Sequence, residues 1–119
     1  TQRLVRRLCP VCREEYEIPA ESPEAVFLDD KYHQGLTAFR ANGCDKCRGT
    51  GYQGRLAIHE LLTFSEGIQT AIMAGEKMKA IETEAIREGM IPLRCDGIEK
   101  ALAGKTTLEE IKRGLYGDV

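Results

Sequence analysis

The sequence predicts an α+β fold: a subdomain organised by four cysteines, then a short β-strand, then a small C-terminal bundle of helices. Two CxxC pairs separated by 31 residues indicate the first part. An apolar run starting at Leu56 indicates the strand. Apolar residues at three- and four-residue spacing between helix caps indicate the bundle. On these grounds we divide the chain into residues 1–8, 9–55 and 56–119.

The composition limits the class of protein. The chain has 119 residues, of which 42% are hydrophobic and 30% are charged, and its formal net charge is −2. This balance is typical of a globular domain, or part of one, with a small core. It gives no electrostatic case for nucleic-acid binding, although four arginines make the N-terminus locally basic: Arg3, Arg6, Arg7 and Arg13. No apolar run approaches the ~20 residues that span a bilayer, so we expect no direct membrane insertion.

Residues 1–8 carry Leu4, Val5 and Leu8 at helical spacing and run into the first CxxC pair without a cap. The spacing predicts the end of a helix. We therefore expect the chain to be a fragment of a longer protein that begins inside a helix. The arginines would lie on the solvated face of that helix or contact a neighbouring subunit.

The two CxxC pairs are Cys9 with Cys12 and Cys44 with Cys47. Two residues between cysteines let both thiolates of a pair turn toward one point while backbone N–H groups donate to the sulfurs. Two such pairs supply the four soft ligands that Zn²⁺ prefers and leave no position open for water or substrate, which is the pattern of a structural site. The spacing therefore predicts one zinc site in a zinc-ribbon-like subdomain, whose intervening excursion is longer than in usual zinc ribbons.

Other uses of these cysteines fit the sequence less well. A disulfide framework is disfavoured by the odd count of five cysteines and by the lack of a signal peptide, which also favour a reducing, cytoplasmic compartment. A redox CxxC would stand alone beside a βαβ pattern, and plain burial would not explain two equal spacings. His33, within the excursion, could replace a thiolate, but the four cysteines already complete the shell.

The excursion is weakly patterned, so we expect metal to hold it together while the C-terminal helices are stable without metal. Residues 36–42 look extended and lead to Gly43, whose missing side chain suits the turn that presents Cys44. Sharp backbone turns are predicted after Cys47 by three glycines: Gly49, Gly51 and Gly54. They do not form a phosphate-binding loop, because the Walker A spacing and its Lys-Ser/Thr are missing.

The apolar run after these glycines predicts a β-strand with a buried inner face, which includes Leu56, Ile58, Leu61, Leu62 and Phe64. His59 and Glu60 lie within it. No nucleophile or second acid accompanies them in the sequence, so we interpret them as a polar pair at the strand edge and not as catalysts.

Four short helices are predicted after Ser65, which is an N-cap for the first of them. Gly75, Gly89 and Gly104 end the first three helices, and Pro92 separates the second from the third. Thr107 and Glu110 form a capping box for the fourth. The apolar stripes predict one buried, orthogonal bundle with these inward-facing residues: Ile68, Ala71, Ile72, Met78, Ile81, Ala85, Ile86, Ile98, Ala101, Leu102, Leu108 and Ile111.

Three stretches of the chain, in this order, resemble one family: QRLVRRLCPVC, GCDKCRGTGYQGRLAIHELL and GMIPLRCDGIEKALAGKTTLEEI. They are similar to the C-terminal end of the type II secretion ATPases and the type IV pilus extension ATPases, and the resemblance covers nearly the whole chain. It implies that Cys9, Cys12, Cys44 and Cys47 bind zinc in a protrusion from a RecA-like P-loop nucleotide domain, and that residues 1–8 are the end of a helix from that domain. Cys95 departs from the family pattern, which usually has a polar or acidic residue there, and we interpret it as a fifth, non-ligand thiol.

The resemblance implies a parent that is a cytoplasmic homohexamer, peripheral to the bacterial inner membrane, which couples ATP hydrolysis to protein secretion or pilus assembly. Its expected partners are the other subunits and the inner-membrane platform proteins of the secretion or pilus system. The family's nucleotide-binding and catalytic motifs lie upstream of the matching region. ATP and Mg²⁺ are therefore expected only in the parent, and this chain is expected to have no catalytic residues.

Two other functions remain open from the sequence. The spacing Cys44-x2-Cys47-x-Gly49-x-Gly51 is also the repeat of the cysteine-rich zinc domain of J-domain co-chaperones, which would make the chain a protein-binding module. That domain needs four such repeats, and this chain has one. A nucleic-acid-binding zinc ribbon is disfavoured by the net charge and by the lack of aromatic residues beside the basic ones.

Overall fold

The structure is a computed structural model that describes residues 1–28 and 36–117. Within the described residues, four strands and one short helix form the first half, and helices alone follow in the second half. The elements in chain order are β1 (Gln2–Leu8), β2 (Glu14–Glu17), α1 (Pro23–Leu28), β3 (Thr37–Arg40), β4 (Tyr52–His59), α2 (Glu66–Met73), α3 (Met78–Arg87), α4 (Leu93–Leu102) and α5 (Leu108–Tyr116). This mixed architecture confirms the predicted α+β class at the coarse level.

Residues 2–8 form a strand, so the helix predicted there is wrong. β1 pairs antiparallel with β4, with Val5 opposite Leu56. The register shifts between Arg6 and Leu8, and the two buried side chains of β1, Val5 and Leu8, stand on either side of that shift. Because an irregularity of this kind disturbs the two-residue period of a strand, their three-residue spacing imitates a helix.

The β1–β4 sheet is covered by α4 and α5, which pack on each other and on the two strands. A two-stranded sheet is marginally stable alone, so it needs such cover. The helical segment also satisfies strand backbone groups: Asp96 of α4 accepts the N–H of His59 at 2.8 Å. On the other strand, the hydroxyl of Thr106 donates to the C=O of Arg6 at 2.8 Å.

The residues between the two CxxC pairs fold back on themselves. β2 pairs antiparallel with β3, with Glu14 opposite Arg40. The extended conformation predicted for residues 36–42 is confirmed over β3. Neither β2 nor α1 was predicted, because each is too short to show a period. His33 lies outside the described residues.

One hydrophobic core joins this excursion to the sheet and to the last two helices. Among the described residues, its buried members come from β1 and β4, from the excursion, and from α4 and α5, but not from α2 or α3: Val5, Ile18, Leu28, Ala38, Ile58, Ile98, Ala101, Leu108 and Ile111. The excursion is therefore packed against the C-terminal helices and does not stand apart from them.

The four C-terminal helices are confirmed as α2 to α5, with the predicted N-caps Ser65 and Thr107, but the capping box is incomplete because the Glu110 carboxylate contacts Arg6. The Ser65 hydroxyl accepts the N–H of Ile68 at 3.2 Å, and the Thr107 hydroxyl accepts the N–H of Glu110 at 3.1 Å. They do not form one bundle. α2 packs on α3, whereas α4 packs on α5 and on the strands. The predicted burial of the α2 and α3 stripes is accordingly wrong in part: Ile72 and Ile86 are exposed, and Met78 is 79% exposed.

The strand predicted around residue 56 is confirmed as β4 but ends at His59, so Leu61, Leu62 and Phe64 lie beyond it and are exposed. Glu60 follows the strand and caps α4, because its carboxylate accepts the N–H of Leu93 at 2.8 Å. Within the part of the chain that the structure describes, no helix is both long and apolar enough to cross a membrane.

Candidate metal centre

The two CxxC pairs meet because the excursion between them returns to its starting point. Cys9 and Cys12 lie in the turn that follows β1, and the pairing of β2 with β3 brings the chain back to Cys44 and Cys47. The Sγ atoms of these four cysteines all lie within 4.8 Å of one another. The structure thus brings together all four of the cysteines singled out from the sequence, and Cys95, in α4, lies outside the group.

The distances between the sulfurs fit a tetrahedral metal ion. The Sγ atoms of Cys9 and Cys44 are 3.8 Å apart, and that of Cys47 lies 3.7 Å from the Sγ atoms of both Cys12 and Cys44. Four thiolates at the usual Zn–S distance would form a tetrahedron with edges of roughly 3.8 Å. A disulfide would bring two sulfurs to about 2.0 Å, and all five cysteines are free. The four cysteines could therefore hold a metal ion.

Backbone N–H groups donate to the sulfurs of Cys12 and Cys47, one in each CxxC pair. Gly43 donates to Cys12 Sγ at 3.2 Å, and Cys47 Sγ accepts from Cys44 at 3.2 Å and from Gly51 at 3.1 Å. These contacts hold the sulfurs in place and stabilise negative charge on them.

Two of these donors must be glycines. Gly43 and Gly51 have φ of 116° and 84°, a region that favours glycine. A Cβ would come within 2.9 Å of the Gly49 C=O oxygen at the first and 2.5 Å of the Ala41 Cβ at the second. The sharp turns here were predicted from the sequence, but the hydrogen bonds from these glycines to sulfur were not.

The surroundings shift the pKa values of two thiols in opposite directions. Burial raises the pKa of Cys47, but the N–H groups of Cys44 and Gly51, with the neighbouring thiols, outweigh burial and lower this pKa to about 6. Burial raises the pKa of Cys12 to about 11, since the N–H of Gly43 does not offset it and the neighbouring sulfurs raise it further. A cation among the sulfurs would favour the deprotonated form of all four.

Hydrogen bonds connect the cysteine turns to the β1–β4 sheet and to the end of α4. The N–H of Cys9 donates to the C=O of Gly51 at 2.8 Å, which joins the end of β1 to the start of β4. Arg13, directly after the first pair, donates to the C=O of Gly104 at 2.8 Å, and its guanidinium lies 4.7 Å from the centre of the Phe39 ring. This anchoring role of Arg13 was not predicted from the sequence, because Gly104 and Phe39 are remote from it in the chain.

Comparison with known proteins places this chain in one protein family. A family model described as "Type II/IV secretion system protein" matches residues 1–113. The type IV pilus assembly ATPase PilB of Thermus thermophilus is 46% identical over 111 residues, which is 93% of this chain and 12% of that protein.

Two further relatives carry the other name found in the group. The type II secretion system protein E of Dickeya dadantii is 43% identical over 112 residues, or 94% of this chain and 22% of that protein. The type II secretion system ATPase E of Vibrio cholerae is 42% identical over the same share of each chain. This chain spans less than a quarter of the length of each of these relatives.

Proposed function

The chain belongs to the type II/IV secretion system protein family, and we propose that it is the C-terminal, zinc-binding part of a hexameric ATPase that powers type II protein secretion or type IV pilus assembly. Residues 9–55 would form the metal-binding subdomain. ATP and Mg²⁺ would be bound elsewhere in the parent. The family match over residues 1–113 displaces the co-chaperone module and the nucleic-acid-binding ribbon as alternatives.

The observation that carries this proposal is the convergence of Cys9, Cys12, Cys44 and Cys47 within a chain of this family. A tetrahedral set of four thiolates selects zinc or iron among the common metals. Zinc suits a closed site, since it has no redox chemistry and four protein sulfurs leave no position for a reactant. When bound, it would supply a crosslink between the two ends of the excursion.

The residues around the site point to a structural and coupling role. The sulfurs join the turn after β1 to the turn before β4, and Arg13 fixes the same region to the end of α4. A load applied to the metal-binding subdomain would therefore reach the β1–β4 sheet and α4. We propose that the subdomain transmits such a load between neighbouring subunits of the homohexamer, or to platform proteins, on the cytoplasmic side of the bacterial inner membrane.

Metal analysis of the purified chain tests the ligand set. We expect one zinc per chain, its loss in Cys44→Ser, and its retention in the matched control Cys95→Ser, because Cys95 lies outside the group. Iron in place of zinc, two metals per chain, or zinc retained after Cys44→Ser would contradict the four-thiolate zinc site.

The same two variants, placed in the full-length parent, test the coupling role. With Cys44→Ser we expect the loss of secretion or piliation to exceed the loss of basal ATP hydrolysis, whereas Cys95→Ser should keep both. Equal losses of ATP hydrolysis and of secretion would place the metal-binding subdomain in the catalytic machinery and contradict a coupling role.

A further inference from the structure

The four cysteines of the site differ in how far each residue is exposed to solvent. Cys9 is 0% exposed and Cys47 is 4% exposed, whereas Cys12 and Cys44 are partly exposed. A reagent dissolved in water can therefore reach Cys12 and Cys44 while the site is intact. Accessibility alone does not choose between them.

The hydrogen bonds to sulfur distinguish Cys44 from Cys12. Cys47 Sγ accepts two backbone N–H groups and Cys12 Sγ accepts that of Gly43, whereas Cys9 is fully buried. Within the described residues no backbone N–H donates to Cys44 Sγ, whose polar contacts are the sulfurs of Cys9 and Cys47. An N–H bond to a thiolate withdraws negative charge from the sulfur and makes it a weaker nucleophile.

We propose that Cys44 is the reactive thiol of this site, the one that soft electrophiles and hydrogen peroxide modify first, so that oxidation regulates metal retention. This inference rests on the proposed function, since it assumes that the four sulfurs bind zinc as thiolates. It goes beyond that function because it gives the site a sensitivity that a purely structural crosslink would lack.

Oxidation of Cys44 by hydrogen peroxide proceeds in two steps. The Cys44 thiolate attacks one oxygen of hydrogen peroxide, the O–O bond breaks, and the other oxygen leaves as hydroxide and takes a proton to become water. The thiolate of Cys47 or of Cys9, whose sulfurs lie 3.7 and 3.8 Å away, then attacks the sulfenic sulfur of Cys44. An S–S bond forms, and hydroxide leaves and takes a second proton. The two sulfurs lose two electrons and the peroxide gains them.

The product has lost two of its four thiolate ligands. Two remaining thiolates hold zinc far more weakly than four, so the metal dissociates and the crosslink between the ends of the excursion is lost. A disulfide reductant would restore the thiolates and allow the site to reload.

Limited labelling of the zinc-loaded chain tests the proposal. The chain is treated with N-ethylmaleimide below one equivalent, or with hydrogen peroxide, and the modified cysteines are located by mass spectrometry while a chromogenic chelator reports released zinc. We expect Cys44 to carry the first label, roughly tenfold ahead of Cys12, which is the scale of a lost contact to a metal ligand. Cys95 is buried and serves as an internal reporter of unfolding.

Other labelling results would contradict either the assignment of Cys44 or the proposed function. First labelling at Cys12, labelling of all four ligands together, or labelling of Cys95 at the same rate would overturn the assignment of Cys44. Zinc release by peroxide without a disulfide that includes Cys44 would also overturn it. A chain that cannot be loaded with zinc would instead contradict the proposed function, so the two failures are distinguishable.

Discussion

Glu110 is a buried carboxylate that joins α5 to β1. It is 4% exposed, and it accepts the N–H of Arg6 at 2.9 Å and the guanidinium of Arg6 at 2.6 Å. Arg113 adds a third contact at 3.1 Å. Burial raises the pKa of this carboxyl, but the contacts with Arg6 and the charge of Arg113 outweigh burial and lower the pKa below its ordinary value. The charged form is therefore the one that the fold stabilises.

Replacing this carboxylate should weaken the fold in a pH-dependent way. We expect Glu110→Gln to reduce the free energy of unfolding at about pH 7 by roughly 1.5–3 kcal/mol, the range for hydrogen bonds to charged groups. Because the folded-state pKa is lowered, this stabilisation is complete above the ordinary value of 4.5 and is lost as pH falls through the lower folded-state value. The difference between variant and wild type, measured by urea unfolding, should therefore shrink below about pH 4.5.

The neighbouring Glu109 is exposed and provides the matched control. Glu109→Gln should change stability by less than about 0.5 kcal/mol. A Glu110→Gln variant as stable as that control, or a difference that grows on acidification, would show that the Arg6–Glu110 pair does not stabilise the fold.

Residue roles were predictable from the sequence where the signal is local. The four cysteines converge as their spacing predicts, and Thr107 caps α5 as predicted. Glu110 was expected to complete a capping box, but its carboxylate faces Arg6 instead. A partner 104 positions away leaves no trace in local spacing, so this pair became visible only in the fold.

At the scale of elements, α4 and α5 approach closely because α4 has a glycine at the contact. A Cβ on Gly97 would lie 2.7 Å from Cγ2 and 3.1 Å from Cδ1 of Ile111, which is itself fully buried. Ile111 is β-branched and stiff at χ1, so it has little freedom to move aside. Gly97 therefore sets the distance between these helices.

Gly97→Ala should destabilise the chain even though alanine is the better helix former. Overpacking a core typically costs ~1–3 kcal/mol, which exceeds the ~1 kcal/mol that alanine gains in a helix interior. We expect a net loss of up to roughly 2 kcal/mol in thermal or urea unfolding.

Gly67 in α2 is the matched control for this substitution. A Cβ there would meet the carboxylate ends of Glu84 and Glu88, which are flexible side chains that can move. Gly67→Ala should be neutral or slightly stabilising. Equal effects of the two substitutions would mean that Ile111 can yield and that Gly97 does not control the helix packing.

The helices were predictable because their caps are encoded within a few residues. Ser65, Thr107 and the helix-ending glycines mark α2 to α5 correctly. The strands were less predictable from the sequence, since the limits of a strand depend on the partner strand with which it pairs. β1 looked helical until it was paired with β4, and the apolar run after Leu56 continued in sequence beyond the point where pairing ends at His59.

The whole molecule departs from the simple division into a metal-held excursion and an independent helical bundle. Ile18, Leu28 and Ala38 of the excursion share one core with α4 and α5. The buried residues of α2 and α3, Ile68 and Ala85, are outside that core. The chain measures 56 × 30 × 25 Å, an elongated form. Apolar periodicity identified the buried faces of α4 and α5 but predicted too much burial in α2 and α3, and it did not show which elements pack against each other.

Removing the metal should therefore affect three regions differently. We expect chelation to bring the amides of residues 9–12 and 43–51 close to unfolded exchange rates, because the four sulfurs hold these turns. Exchange in β2, β3, α4 and α5 should accelerate less, since their shared core remains but loses the crosslink beside it. Exchange in the α2–α3 pair should be unchanged.

Hydrogen exchange with and without chelator measures all three regions. The metal-free Cys44→Ser variant, without chelator, should reproduce the pattern of the chelated chain. Even loss along the chain would show that metal nucleates the entire fold, and loss confined to the two turns would show that the shared core holds the excursion without it.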